Sequence, residues 1–419
     1  MKGYLVFVEK IVKILLSFYI GLLIANSLGV EEYGQYMLIL SSLNVLQVFS
    51  GFGFDQYFPK YLLEKKRPDF INLLVVKISI SIVALLITYI LVVAFHIAVP
   101  YIIFFVFGIF SIFEIFETSF YKLNELKKLT YFKYSQQIIT IAFKVYGIWQ
   151  HKGAYFFISI YILEYAILSI YYAFYLYFNR EKLSISFALN VKLEYLRAIF
   201  RDILHLGFNA VVIILFMKVD HYVTALFFNK RDLGEYSLML SLFSAPLFIS
   251  QLLNYLIFNW IGEKLKFGLT KNIRGFYKLF FISGFSCYIG VVSLAFCLRY
   301  FSILNGDYDK FIYYLLIYGM SLPFIFMGVV DNAINIITNR SRVILRKSFL
   351  SFAIGLSCYY PLIKIFGIYG ICFASVITQL LNTFLLNALY NKFCFREQFK
   401  AIINIWDRKF YLEAYHKLK

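Results

Sequence analysis

The side chains of this chain best placed to do chemistry are ionisable groups set in long apolar runs. Lys77, Lys144, Lys218 and His221 are the basic candidates, and Glu114, Glu117, Glu164, Asp220 and Asp331 the acidic ones, with Asn332 and Asn335 close behind Asp331. Glu114 and Glu117 are three residues apart, as are Lys218 and His221, so each pair shares one helix face while Asp220 points elsewhere. A charge at the centre of a membrane helix costs about 2.5–3.5 kcal/mol on insertion scales and usually faces a cavity or a partner. Two uses follow. Lys77, Lys144, Lys218, His221, Asn332 and Asn335 could line a polar cavity that attracts a phosphate-bearing substrate. Glu114, Glu117, Glu164, Asp220 and Asp331 could take up protons or a coupling cation. The competing use is pairing between helices, which holds a bundle together and transports nothing.

The elements that carry these groups are membrane spans. The chain has 419 residues, of which 61% are hydrophobic and 15% charged, and a mean hydropathy of +0.74. A soluble domain is about 45–50% apolar and about 25% charged, so the solvent for this surface is lipid. The net charge of +18 would suit a nucleic-acid partner, but the basic residues sit in short gaps between apolar runs, as in loops beside anionic lipid. We therefore expect membrane lipids and no nucleic acid as partners. Cys287, Cys297, Cys358, Cys372 and Cys394 lack metal or disulfide spacing and read as small hydrophobes. No metal site, cofactor or catalytic residue is expected, and no GxxxxGK[ST] phosphate loop is present.

Spans are expected near Ile11–Leu28, Gly34–Phe58, Phe70–Phe95, Pro100–Phe120, Tyr131–Trp149 and from Gly153 to Phe178. A second series follows near Ile203–Phe228, Gly234–Ile261, Phe276–Leu298, Phe311–Ile337, Phe349–Ile365 and Ile368–Tyr390. That makes an all-α polytopic membrane protein of about twelve transmembrane helices, each needing about 20 mostly apolar residues. The first reads as an uncleaved span rather than a signal peptide. The strongly basic gaps follow every second span, with Lys60, Lys65, Lys66 and Arg67 in the first and Arg340, Arg342, Arg346 and Lys347 in the last. They place those gaps and both termini in the cytoplasm. The tail from 392 to 419 mixes Arg396, Lys400 and Arg408 with Ile402, Trp406 and Phe410, the composition of an amphipathic helix on the inner membrane face.

An internal echo supports two lobes. Gly34-x-Tyr36-x-Leu38-x-Leu40-Ser41 recurs as Gly234-x-Tyr236-x-Leu238-x-Leu240-Ser241, each at the start of the second span of its half. The glycines suit turns entering helices and the serines suit helix contacts in lipid. The division expected is a lobe over 1–178, a basic linker over 179–202, a second lobe over 203–391 and the tail, in a parallel repeat.

The runs LGVEEYGQYMLILSSLNVLQVFSGFGFDQY and KVDHYVTALFFNKRDLGEYSLMLSL resemble Wzx-type O-antigen flippases of the multidrug/oligosaccharidyl-lipid/polysaccharide exporter superfamily. Lys218 and Asp220 match that group's basic–x–acidic pattern. The resemblance implies two six-helix bundles in a MATE-like V around a central cavity, in a bacterial cytoplasmic (inner) membrane. It implies alternating-access flipping of undecaprenyl-diphosphate-linked oligosaccharide, the O-antigen or capsular/exopolysaccharide repeat unit, to the outer leaflet. A proton or sodium gradient would drive it, with other polysaccharide-assembly proteins as further partners. One departure is that the deep cations are lysines, so no bidentate arginine clamp for phosphate is evident. A drug/cation antiporter on the same fold is the main alternative. An enzyme, such as a polytopic polymerase or glycosyltransferase, is disfavoured because every outer gap is too short to hold an acceptor.

Overall fold

The computed structural model describes residues 16–404, except 55–56, 58–69, 96–98, 118–119, 121–122, 124, 180, 183–192, 267–269, 302, 305–307 and 339. The first basic gap, part of the expected linker (180 and 183–192) and the end of the tail therefore lie outside the described residues. So do Ile11 and the start of the first span.

All regular structure among the described residues is helical. In chain order the helices begin with α1 (Leu16–Leu28), α2 (Val30–Gly51) and α3 (Phe70–Ala94), then α4 (Ile102–Ile112), which tightens into a 3-10 segment, Phe113–Glu117. Next come α5 (Leu126–Trp149), α6 (Ala154–Phe178), α7 (Leu193–Phe227), α8 (Lys230–Ser244), α9 (Leu247–Lys266) and α10 (Thr270–Tyr300). The rest are α11 (Phe311–Gly319), α12 (Leu322–Ile337), α13 (Ser341–Phe366), α14 (Tyr369–Leu380) with a π-helical extension (Leu381–Leu385), α15 (Asn387–Tyr390) and α16 (Lys392–Ile403). Among the described residues seven helices are long and apolar enough to cross a membrane, or eight if the bent pair α11–α12 is one span. The remaining expected spans fall on helices that are shorter or more polar. α2 carries Glu31, Glu32, Asn44 and Gln47, and α4 is cut short where the 3-10 segment begins.

Two expected spans are interrupted, one by a turn within a span that continues over Lys230–Asn254 and one by a bend. Gly234–Ile261 divides at Ala245–Pro246 into α8 and α9. Phe311–Ile337 bends by 41° between α11 and α12, where Pro323 enters the first turn of the second piece. In both cases proline lacks the N–H that would continue the helix and suits the first turn of the next piece, whereas Pro361 lies inside α13 without ending it.

The chain packs as two compact units. One comprises Tyr19–Gly234, and the other takes in the chain from Glu235 onward. By packing, α7 belongs with the first unit. The core there joins Leu73 and Val76 of α3, Phe120, Tyr172 and Tyr175 of α6, and Ile199 and Ile203 of α7. Tyrosine and phenylalanine fill it by stacking, as between Phe120 and Tyr175 with centroids 3.6 Å apart. Outward-facing Ile82, Val83, Leu86 and Ile90 of α3 are all more than half exposed, as a lipid-facing helix requires.

The repeat glycines do not make turns. The chain turns at Gly29, whose φ of 73° is a conformation that favours glycine. Gly34 lies in the second turn of α2, and a Cβ built there would sit 2.7 Å from the backbone nitrogen of Gly234. A Cβ on Gly234 would collide in turn with the carbonyl oxygen of Val30. The two copies of the motif thus meet through their glycines, which let backbones approach closely.

The tail helix also differs from a surface-lying amphipath. Cys394, Glu397, Gln398 and Ala401 of α16 are buried, and Arg274 of α10 holds Glu397 at 3.0 Å. Lys392, Arg396, Phe399 and Ile403 form the outward face.

Candidate functional site

In the first unit a polar cluster forms where α2, α6 and the 3-10 segment meet. Both carboxylate oxygens of Glu114 lie within hydrogen-bond reach of Gln47 Nε2, at 3.0 and 3.1 Å. Gln47 Oε1 accepts from the Tyr165 hydroxyl at 3.0 Å, and the Tyr161 hydroxyl donates to Asn44 Oδ1 at 3.3 Å. Asn44 and Gln47 are three apart on α2, and Tyr161 and Tyr165 four apart on α6, so each pair projects from one helix face. Glu164, between the two tyrosines, meets Lys144 Nζ of α5 at 3.4 Å. Its backbone carbonyl takes a hydrogen bond from Gln136 at 3.5 Å. All of these side chains except Gln136 are half-buried rather than sealed. A half-buried carboxylate in an apolar run faces a cavity or a partner, and here it stays within reach of a proton or a cation.

Glu117 leaves this cluster. It pairs with Lys133 of α5 at 2.6 Å and accepts from the Tyr172 hydroxyl at 3.0 Å. The three-residue spacing therefore does not bring Glu114 and Glu117 to one ligand. Lys77 is buried, and its ammonium donates to the Ser50 carbonyl oxygen at 2.8 Å, above the Phe54 ring. Ser50 also bridges to Ser81 and Ser111, at 2.7 and 3.0 Å. Lys77 is thus placed as a tie between α2 and α3.

α7 carries the remaining candidates of the first unit. Lys218 is half-buried and has no hydrogen-bond or ion-pair partner among the described residues. His221, one turn on, is 2% exposed, and neither ring nitrogen has a partner. Asp220 is buried. Tyr222 fixes this part of α7 by donating to Ser42 of α2 at 3.1 Å and packing on Phe95 beyond the end of α3. An unpaired ammonium beside an unsatisfied imidazole is costly to hold inside a membrane protein, so the pair points to a ligand or a proton.

In the second unit Asp331 and Asn335 belong to a closed network, while Asn332 faces outward. Lys347 of α13 forms an ion pair with Asp331 and donates to Asn387 Oδ1 at 2.7 Å. Asn387 donates to Gln398 Oε1 at 3.0 Å, and Asn391 to Asn335 Oδ1 at 3.0 Å. Every member is buried. Lys347 thus belongs not to a cytoplasmic basic gap but to a helix interior. The adjacent π-helical turn hands its backbone carbonyl at Thr383 to Gln398, at 3.0 Å. A second buried acid, Glu235 of α8, caps α11 by accepting from the backbone N–H groups of Asp309 and Phe311, at 3.2 and 2.7 Å. Glu32 of α2 does the same for α6, accepting from Ala154 N at 2.7 Å.

Gln47, Asn44, Tyr161, Tyr165 and Asn387 escape a search for ionisable groups because they carry no charge. Their signal is neutral polarity repeated at helical spacing inside an apolar run. Among the described residues no group of three or more His, Cys, Asp and Glu side chains could hold a metal ion.

An all-α bundle with apolar outer faces and polar clusters inside defines a multi-pass membrane protein with the fold of a transporter. Residues 2–249 match the family described as polysaccharide biosynthesis protein, and the chain belongs to that family. It is similar in structure to the lipid II flippase MurJ in an inward closed conformation, with a TM-score of 0.69 and 13% identity. That match covers 96% of this chain and 92% of the other. It is also similar to an inward-facing multidrug resistance MATE family transporter of the MOP superfamily. There the TM-score is 0.65 and the identity 12%, with coverage of 94% and 95% of the two chains. At such identity the likeness is one of fold. Both neighbours are transporters rather than enzymes. Comparison with curated proteins yields no match.

Proposed function

We propose that this chain is a flippase. In this reading it carries an undecaprenyl-diphosphate-linked oligosaccharide, an O-antigen or capsular/exopolysaccharide repeat unit, from the inner to the outer leaflet of a bacterial cytoplasmic membrane. The observation that carries the reading is membership of the polysaccharide biosynthesis family on a fold shared with a lipid II flippase. Lys218 and His221 are assigned to the substrate's anionic diphosphate, since Lys218 has no counter-ion among the described residues. Glu114 and Glu164 are assigned to the coupling proton or sodium ion, since they are half-buried and reachable. Asp331 is a poorer coupling group, because it is sealed from solvent on Lys347 whereas Glu164, paired with Lys144, stays half-buried. Cytoplasmic termini, a linker over 179–202 between two lobes and alternating access complete the proposal.

A drug/cation antiporter is the second reading, favoured by the MATE-like fold and by the cluster around Glu114. Reconstitution in proteoliposomes with lipid-linked oligosaccharide and a leaflet-specific readout separates the two. Gradient-stimulated appearance of the oligosaccharide in the opposite leaflet is the expected result. Export of organic cations with no lipid flipping would sink the flippase and favour the antiporter.

A further inference from the structure

Outside these clusters, the first unit has a groove of about 620 Å³ on its lipid-facing side, between α3 and α7 with the end of α2 behind it. The two helices run parallel. Ile199 and Ile203 of α7 pack with Leu73 and Val76 near the start of α3, and Tyr222 packs on Phe95 just past its end. The groove therefore extends from Val75 and Arg197 at one end to Ile87 and Val211 at the other. Twelve residues of α3 at about 1.5 Å each give a length of about 18 Å.

Its chemistry is one-sided. Apart from Ser79 and Arg197 the lining is apolar. The Ser79 hydroxyl is spent on the Val75 carbonyl oxygen of its own helix, at 2.9 Å. Arg197 is exposed, sits at one end, and has no hydrogen-bond or ion-pair partner among the described residues. Val83 and Phe208 are each about half exposed along the rim, so the groove opens sideways rather than into a core.

We propose that this groove holds one acyl chain of an acidic phospholipid, with the lipid phosphate against Arg197. Three observations select this occupant. A length of about 18 Å matches one leaflet of a hydrocarbon core about 30 Å thick, so a single acyl chain fills it whereas a long polyprenyl chain overruns it. Arg197, the cation of the described lining, complements an anionic headgroup, as basic pockets between membrane helices do. The surrounding bilayer supplies such lipids in excess, which drives occupancy by mass action. Arg197 lies at the end of α7 that the basic-gap pattern assigns to the cytoplasm, so the lipid belongs to the inner leaflet. The site is independent of what the protein transports.

The test is native mass spectrometry of the full-length protein released from nanodiscs. These contain phosphatidylethanolamine with either phosphatidylglycerol or phosphatidylcholine. The wild type should retain one phosphatidylglycerol and little phosphatidylcholine. Arg197→Gln should weaken retention about fivefold, roughly one basic residue's attraction to an acidic lipid surface, while Arg197→Lys keeps most of it. Val83→Trp, at a lipid-exposed rim position, should block the groove whatever the headgroup. Gel filtration and thermal unfolding check that each variant is folded, and Arg197→Gln alone decides the matter if Val83→Trp is not. Equal retention of both lipids, or undiminished retention by Arg197→Gln, would overturn the proposal. Displacement of phosphatidylglycerol by equimolar undecaprenyl phosphate would overturn it too, and would assign the groove to the transported lipid.

Discussion

Lys347 and Asp331 form an ion pair closed off from solvent, with Asn387 Oδ1 accepting a further hydrogen bond from the same ammonium. Two charges so placed repay their desolvation only through each other and their remaining hydrogen bonds. Removing one should therefore cost far more than removing both. We expect Lys347→Met or Asp331→Leu alone to lower stability by about 3–5 kcal/mol, and the double variant to recover most of that loss. Thermal unfolding in detergent across the four-member cycle measures it. Additive single losses would mean that the two groups act separately.

Lys218 presents the opposite arrangement, a cation in an apolar helix without a hydrogen-bond or ion-pair partner among the described residues. If it meets the substrate's phosphate, Lys218→Ala should cut flipping by at least about tenfold, the loss of one hydrogen bond to a charged group. Membrane insertion should be normal, and Lys218→Arg should keep part of the activity. Wild-type flipping in the alanine variant removes Lys218 from the substrate's path.

Glu114 is half-buried and accepts from Gln47, which leaves its carboxylate within reach of an ion. Flipping by Glu114→Gln should become insensitive to the proton or sodium gradient while downhill exchange persists. Gln47→Leu should shift the ion dependence without abolishing it. A gradient response in Glu114→Gln equal to that of the wild type would leave Glu114 a purely structural role.

The contact between Gly34 and Gly234 leaves no space for a methyl group on either side, and the obstructing atoms are backbone. Gly234→Ala should destabilise the protein by about 1–3 kcal/mol, the usual penalty of overpacking. An unchanged midpoint of thermal unfolding would show that the two helices can part at no cost.

Much of this fold is legible from apolar run length alone, because a lipid solvent leaves the backbone few choices. Helix breaks at Pro246 and before Pro323 fit proline's missing donor, although Pro361 sits inside an unbroken α13. What run length cannot convey is which neighbour a side chain meets. Lys347 and Arg346 are adjacent in sequence and equally basic, yet one is buried on an acid and the other exposed. The repeat is visible in Gly34 and Gly234, but their role as a contact appears only once the two helices are brought together. Of the candidate site, the acids Glu114 and Glu164 are legible as buried charge. Their organisers Gln47, Tyr161 and Tyr165 are not, because uncharged groups in a tyrosine-rich chain blend with the core.

The bond from Ala154 to Glu32 spans more than a hundred residues of chain. Synthesis runs from the N-terminus, so α2 is made well before α6 exists. Its acid waits through that interval without the backbone donor it will hold, and Gly153 leaves room beside it, since a Cβ there would fall 2.6 Å from a Glu32 oxygen. Arrival of α6 is thus the event that discharges an exposed polar group left by an earlier insertion. The first turn of α6 thus takes its acceptor from a helix made long before it, so the order of synthesis and the order of capping run the same way.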